Sequence, residues 1–83
     1  MKVLYFAWVR DAVGTGEEAL DPPPEVGTVA TLLDWLADRS PAHGAALAAR
    51  ERVRVAVNQD FAAPGDPVRA GDEVAIFPPV TGG

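Results

Sequence analysis

The chain contains no cysteine. That excludes disulfides and thiolate nucleophiles, so any sulfur chemistry must use something other than a side-chain thiol. Histidine occurs once, at position 43, which argues against a zinc site built from protein ligands alone. Lysine also occurs once, as Lys2, and the basic residues are scattered through a chain of formal charge −5. Nucleic acid and anionic membranes are therefore poor partners, and a basic protein surface is a better match. No apolar run approaches the roughly 20 residues that span a bilayer. Met1-Lys2 followed by the apolar run Val3 to Val9 imitates a signal peptide, but Arg10 and Asp11 follow at once without a small-residue cleavage site. A first β-strand and a cytoplasmic location are the expectation, and the lack of cysteine fits it.

What is present describes one small folded domain. With 83 residues, 48% apolar and 23% charged, the chain is neither disordered nor long enough for two cores. Val3 to Val9 reads as a strand with Val3, Tyr5, Ala7 and Val9 on one side and Leu4, Phe6 and Trp8 on the other. Gly14-Thr15-Gly16 reads as a hairpin turn into a short second strand, Glu17 to Asp21. As a phosphate loop it lacks both the third glycine and a following Lys-Ser/Thr. Asp21 to Gly27, with Pro22-Pro23-Pro24, is a stiff connection. Thr28 is an N-cap for a helix carrying Val29, Leu32, Leu33 and Leu36 on its apolar face, with Asp34, Asp38 and Arg39 on the wetter side; Ser40-Pro41 stops it. Ala42 to Ala49 is a second short helix, and His43 near its start reads as an exposed or capping residue with no chemistry.

Arg52 to Val57 alternates as a half-exposed strand, Asn58-Gln59-Asp60 turns the chain, and Phe61 to Ala63 forms a short return strand. After a loop at Pro64-Gly65-Asp66-Pro67 and a tight turn at Ala70-Gly71-Asp72, Glu73 to Phe77 is the last strand, ended by Pro78-Pro79. This order predicts an α+β domain over 1–77, one mixed sheet with one or two helices packed on one face, and an extended tail over 78–83. If Val3, Tyr5, Val74 and Ile76 face the helix, then Leu4, Phe6, Trp8 and Phe77 face outward, joined by Phe61. That is more apolar surface than a monomer usually leaves together, unless a helix or loop covers it or the register is shifted by one.

The tail is the candidate chemical site. Pro78-Pro79 fixes its direction, and no charged side chain occurs from Ala75 to Gly83. Fully extended, Val80 to Gly83 reaches about 13 to 14 Å, enough to probe a narrow pocket in another protein. Gly82 and Gly83 let pocket walls close on bare backbone. A carboxylate at Gly83, activated by adenylation and then attacked by a sulfur donor, would become a tethered thiocarboxylate nucleophile.

Phe6-Ala7-x-Val9-Arg10, Val57-Asn58-Gln59, Gly71-Asp72-Glu73-Val74 and Pro78-Pro79-Val80-Thr81-Gly82-Gly83 together resemble the small subunit of molybdopterin synthase, from the first strand to the last residue. The resemblance implies a ubiquitin-like β-grasp fold and a sulfur carrier for molybdenum cofactor biosynthesis. An ATP-dependent adenylating enzyme would act on Gly83, and a sulfur donor would convert it to the thiocarboxylate. The tail Pro78, Pro79, Val80, Thr81, Gly82 would then enter the large synthase subunit, in a heterotetramer, and sulfur would pass to cyclic pyranopterin monophosphate. The carrier would be the non-catalytic, sulfur-donating subunit, with no bound cofactor and no metal, ATP being used by the activating partner. Phe6, Phe61 and Phe77 fall where the family meets its partner. The departures are Pro22-Pro23-Pro24 and the bulk of Phe61, neither of which touches the tail. Alternatives are a thiocarboxylate carrier for thiazole or cysteine synthesis, a ubiquitin-like protein modifier, and an interaction module with an inert tail.

Overall fold

The computed structural model describes residues 1–79. Its sheet has five strands: β1 (Lys2–Tyr5), β2 (Glu17–Ala19), β3 (Arg54–Val57), β4 (Asp60–Ala62) and β5 (Glu73–Phe77), in the order β2-β1-β5-β3-β4. Strands β1 and β5 run parallel at the centre, with Val3 beside Val74 and Tyr5 beside Ile76; the other pairings are antiparallel. Three α-helices, α1 (Ala7–Val13), α2 (Val29–Ala37) and α3 (Pro41–Leu47), and a 3-10 turn at Arg50–Arg52 complete the described residues. That is one helix more than the sequence reading expected.

The extra helix corrects the first element. Strand β1 ends at Tyr5, and the second half of the apolar run is helical. A short run apolar on both faces fits either period, and here the helical one wins because Val9 and Val13, four residues apart, are both buried. Phe6 precedes the helix in extended geometry, and Ala7 makes the turn at φ 53°. Gly14 is consequently a helix C-cap at φ 96°, its N–H donating to Arg10 O at 2.8 Å, and not part of a hairpin turn. Strands β1 and β2 still pair, Lys2 beside Ala19 and Leu4 beside Glu17, with the helix inserted between them.

The remaining elements match the pattern with trimmed ends. Thr28 caps α2 through a reciprocal box: its hydroxyl accepts from Thr31 N at 3.2 Å, and its own N–H donates to Thr31 Oγ1 at 3.0 Å. Helix α2 ends at Ala37, and Ser40 starts α3, accepting from His43 N at 3.1 Å, with Pro41 in the first turn where a missing N–H costs nothing. Asn58 and Gln59 both take positive φ, 51° and 72°, as the tight turn between β3 and β4 requires.

Side chains on alternate strand positions separate the two faces. Val3, Tyr5, Val55, Val74 and Ile76 point inward and pack with Val9, Leu32, Leu36 and Leu47 into one core. Ala56 is also buried but does not belong to that core, because its register puts it on the opposite face. Among the described residues no helix is long and apolar enough to cross a membrane.

Candidate functional site

The last described residues, Pro78 and Pro79, leave the sheet at the C-terminal end of β5. Three strand ends meet there. Phe6 N donates to Ile76 O at 3.1 Å, which sets the residue after β1 beside the end of β5. Arg54 at the start of β3 is the register partner of Phe77. Phe61 on β4 pairs with Ala56, so Phe61 and Phe77 flank β3 diagonally on the outer face. The small Ala56 side chain leaves room for the two rings to meet, with centroids 6.0 Å apart and planes tilted by 51°. Phe61 is 81% exposed and Phe6 47% exposed, while Phe77 is half-buried. The outer face thus carries an aromatic cluster one residue from the Pro78-Pro79 step.

Trp8 does not join it. Because α1 replaces the second half of the expected strand, Trp8 turns toward the edge of the core, half-buried, and the Arg52 guanidinium lies 4.9 Å from its ring centroid. Val80, Thr81, Gly82 and Gly83, the expected reactive part of the tail, lie outside the described residues.

Away from the tail, the structure assembles a polar cluster that the sequence reading missed. His43 is buried at 8% exposure, which corrects the exposed alternative of its reading, while its place in the capped first turn of α3 agrees with the other. Its Nε2 lies 2.7 Å from Glu18 Oε1, and its Nδ1 lies 2.7 Å from Ser40 Oγ. Tyr5 Oη donates to the same Glu18 oxygen at 2.7 Å, and Arg39 stands 3.8 Å from the other. A ring carrying its proton on Nε2 satisfies every contact, donating to Glu18 and accepting from Ser40. Burial, reinforced by the Glu18 hydrogen bond, pushes the Tyr5 hydroxyl well above the usual phenol range, so it stays a donor. Burial alone would raise Glu18. The hydrogen bonds from His43 and Tyr5, with the Arg39 charge, outweigh it and hold the carboxyl below its ordinary value.

The Ser-His-Glu order imitates a nucleophile relay, but Ser40 Oγ is occupied as the cap of α3 and the histidine is sealed in the core. Its role is to tie β1, β2 and α3 together. Ser40 and His43, three residues apart at the start of α3, form a capping pattern that could signal the local contact; Glu18, 25 residues away, could be placed only by the fold. Among the described residues no three His, Cys, Asp or Glu side chains converge as a metal ion would need. A groove of about 580 Å³, lined by Pro22, Pro23, Pro24, Val68 and Arg69, lies on the loops before α2 and β5, away from the tail.

The sequence pattern of the ThiS family matches residues 3–83. The chain belongs to the ThiS family. Among curated proteins, this ThiS-family chain is similar to the molybdopterin synthase sulfur carrier subunit of Escherichia coli (strain K12), with 42% identity over 83 residues, covering 100% of this chain and 99% of the relative. It is similar to the chain of the same name from Chlamydomonas reinhardtii, at 39% identity over 85 residues and covering 100% and 98%. Among solved structures it resembles the small archaeal modifier protein 1 of Haloferax volcanii, at 32% identity and a TM-score of 0.76, covering 96% of this chain and 97% of that one. The ThiS-family membership and these neighbours agree with the ubiquitin-like β-grasp order of strands and helices described above.

Proposed function

We propose that the chain is the sulfur carrier subunit of a molybdopterin synthase and that Gly83 carries the sulfur. The observation that supports this most is its end-to-end similarity to the E. coli subunit of that name. The aromatic cluster beside Pro78-Pro79 supplies a physical complement: a docking surface at the root of the segment that must enter a partner. In this reading a Gly83 carboxylate oxygen attacks the α-phosphorus of ATP in an adenylating enzyme, and pyrophosphate leaves. A sulfur nucleophile then attacks the acyl carbon and AMP leaves, giving a thiocarboxylate. Inside the large synthase subunit that sulfur attacks the cyclic pyranopterin monophosphate, water then cleaves the acyl–sulfur bond and returns the Gly83 carboxylate, and two such transfers complete the dithiolene. The carrier supplies reach and a tethered nucleophile; the large subunit supplies the pocket.

The test is the intact mass of the chain after incubation with ATP, a sulfur donor and the cognate adenylating enzyme. The expected product gains the mass difference of one sulfur replacing one oxygen, and transfers it to the pterin when the large subunit is added. A variant with one residue appended to Gly83, or with Gly83 deleted, should fold normally and transfer no sulfur. Full transfer by an untrimmed extended variant would overturn the reading.

A second reading, conjugation to lysine side chains, is favoured by the likeness to a small archaeal modifier protein. It predicts covalent adducts to other proteins in the same incubation. Chains of the protein on itself would depend on Lys2, the single lysine, which is half exposed and pairs with Glu17 at 3.8 Å.

A further inference from the structure

Charge is distributed unevenly around the tail root. The chain carries twelve acidic residues, yet none from Val3 to Val9 and none from Val74 to Gly83. Two arginines lie at this end of the sheet: Arg54, register partner of Phe77 in the aromatic cluster, and Arg52, two residues before it and stacked on Trp8 outside that cluster. Both are exposed. The ion pairs found among the described residues use Lys2, Arg39, His43 and Arg50, and neither Arg52 nor Arg54. Both heads are nevertheless held in place. Arg54 Nη1 donates to the Glu51 and Val53 carbonyls at 3.1 and 3.0 Å, and Arg52 lies against an indole face. Carbonyls and a ring orient a guanidinium without cancelling its charge. Glu51 is the one acidic residue from Arg50 to Arg54, set against three arginines of which Arg50 pairs with Asp34.

We propose that Arg52 and Arg54 form a cationic rim to the aromatic patch, and that they pair with carboxylates on the large synthase subunit. The inference rests on the reading of the chain as a synthase subunit. A guanidinium ordered before binding loses less side-chain freedom on docking. Arginine and aromatic side chains together are what recognition surfaces enrich. The rim also gives direction. A chain of charge −5 is drawn broadside toward any basic partner, whereas two local cations select the orientation in which the tail faces the partner's carboxylates.

The test measures the association rate of the full chain with its cognate large subunit at low and high salt. The variants are Arg54→Glu, Arg52→Glu with Arg54→Glu, Arg54→Lys, and Arg69→Glu. Arg69 precedes β5 at the opposite end from the tail, so Arg69→Glu alters net charge as much as Arg54→Glu does, but away from the rim. Expected is a wild-type rate that falls as salt rises. The double reversal should slow association about tenfold or more at low salt and invert the salt dependence, so that its rate rises with salt, with Arg54→Lys and Arg69→Glu near wild type. Circular dichroism checks that each variant is folded, and if the double variant is not, Arg54→Glu alone decides. Equal effects of Arg69→Glu and Arg54→Glu would overturn the rim in favour of net charge. Faster binding by the reversals would show that the rim meets cations, and would overturn it too. Both outcomes leave the synthase reading standing. That reading fails, and the rim with it, if the wild-type chain does not bind the large subunit at all.

Discussion

The two faces of the sheet are built from alternate residues of the same strands and have opposite fates. On the inner face Val3, Tyr5, Val74 and Ile76 are at most 1% exposed, and the polar groups that intrude there are paired. No buried side-chain nitrogen or oxygen among the described residues lacks a hydrogen bond. On the outer face Phe61 is left 81% exposed, touching only part of its surface to Phe77. Folding accounts fully for the inner face and leaves the outer one unsatisfied. The apolar area that remains in water is available to stabilise a complex, at about 1.5 to 3 kcal/mol for a fully covered phenylalanine.

Truncating one residue on each face should separate folding from docking. Ile76→Ala removes a fully buried side chain at the centre of the core and should cost about 2 to 5 kcal/mol of stability, seen as a large fall in melting temperature. Affinity of the remaining folded protein for the large subunit should not change. Phe61→Ala should do the reverse, weakening the complex by about 1.5 to 3 kcal/mol while barely moving the melting temperature. Titration and thermal denaturation on the same two variants check both. A large stability loss from Phe61→Ala with unchanged affinity would place that ring's role inside the molecule.

How much of this was legible in the sequence follows from which signals are local. Alternation in Arg54–Val57 and Glu73–Phe77 and the Thr28 cap with its apolar spacing are short-range patterns, and those elements lie where the residues indicate. The outward placement of Phe6 and Phe77 follows from strand parity, whereas Phe61 joins them through the family resemblance. Val3 to Val9 failed because apolar residues on both faces carry no period, and only the tertiary burial of Val9 and Val13 decides between strand and helix. His43 failed for another reason: its partners Glu18 and Tyr5 come from strands remote in sequence, so its burial is a property of the assembled fold. Three helices, not one or two, follow from the first of these errors.

The inner face can be loosened through its polar cluster without opening a cavity. Glu18→Gln keeps the shape but removes the charge that His43, Tyr5 and Arg39 surround. At neutral pH the variant should be less stable by about 1.5 to 3 kcal/mol, the range for hydrogen bonds to a charged group. The sign of the pH dependence follows from the direction of the shift. A carboxyl whose folded-state value is depressed contributes its stability in full above the ordinary carboxylate range, and loses it as pH falls through the depressed value. The gap between wild type and Glu18→Gln should therefore be widest near neutrality and close in acid. Urea unfolding at several pH values measures it, and a gap that does not vary with pH would mean that shape, not charge, sets the contribution. Partner affinity should be unaffected, since the cluster lies on the inner face.

The smallest expected effects lie where the chain passes from one face to the other, at either end of α1. Ala7 opens the helix at φ 53° and Gly14 closes it at φ 96°. Left-handed geometry costs an L-residue about 1 to 2 kcal/mol, partly offset by the extra freedom that glycine gives the unfolded chain, about 0.4 to 1 kcal/mol. Gly14→Ala should therefore lower stability by roughly 0.5 to 1 kcal/mol. The cost comes from the backbone alone, because an added Cβ there meets nothing within 4 Å. Ala7→Gly should raise stability by a similar amount, and the two melting temperatures should move in opposite directions. Their effects on binding should differ as well. Gly14 lies at the end of α1 remote from the aromatic cluster, so its variant should bind the large subunit normally. Ala7 follows Phe6 directly, and a glycine there loosens the turn that aims the exposed ring outward. Weaker binding by a more stable Ala7→Gly variant would show that the strained turn holds Phe6 in its docking position. Unchanged binding would show that the hydrogen bond from Phe6 N to Ile76 O fixes the ring without help from the turn.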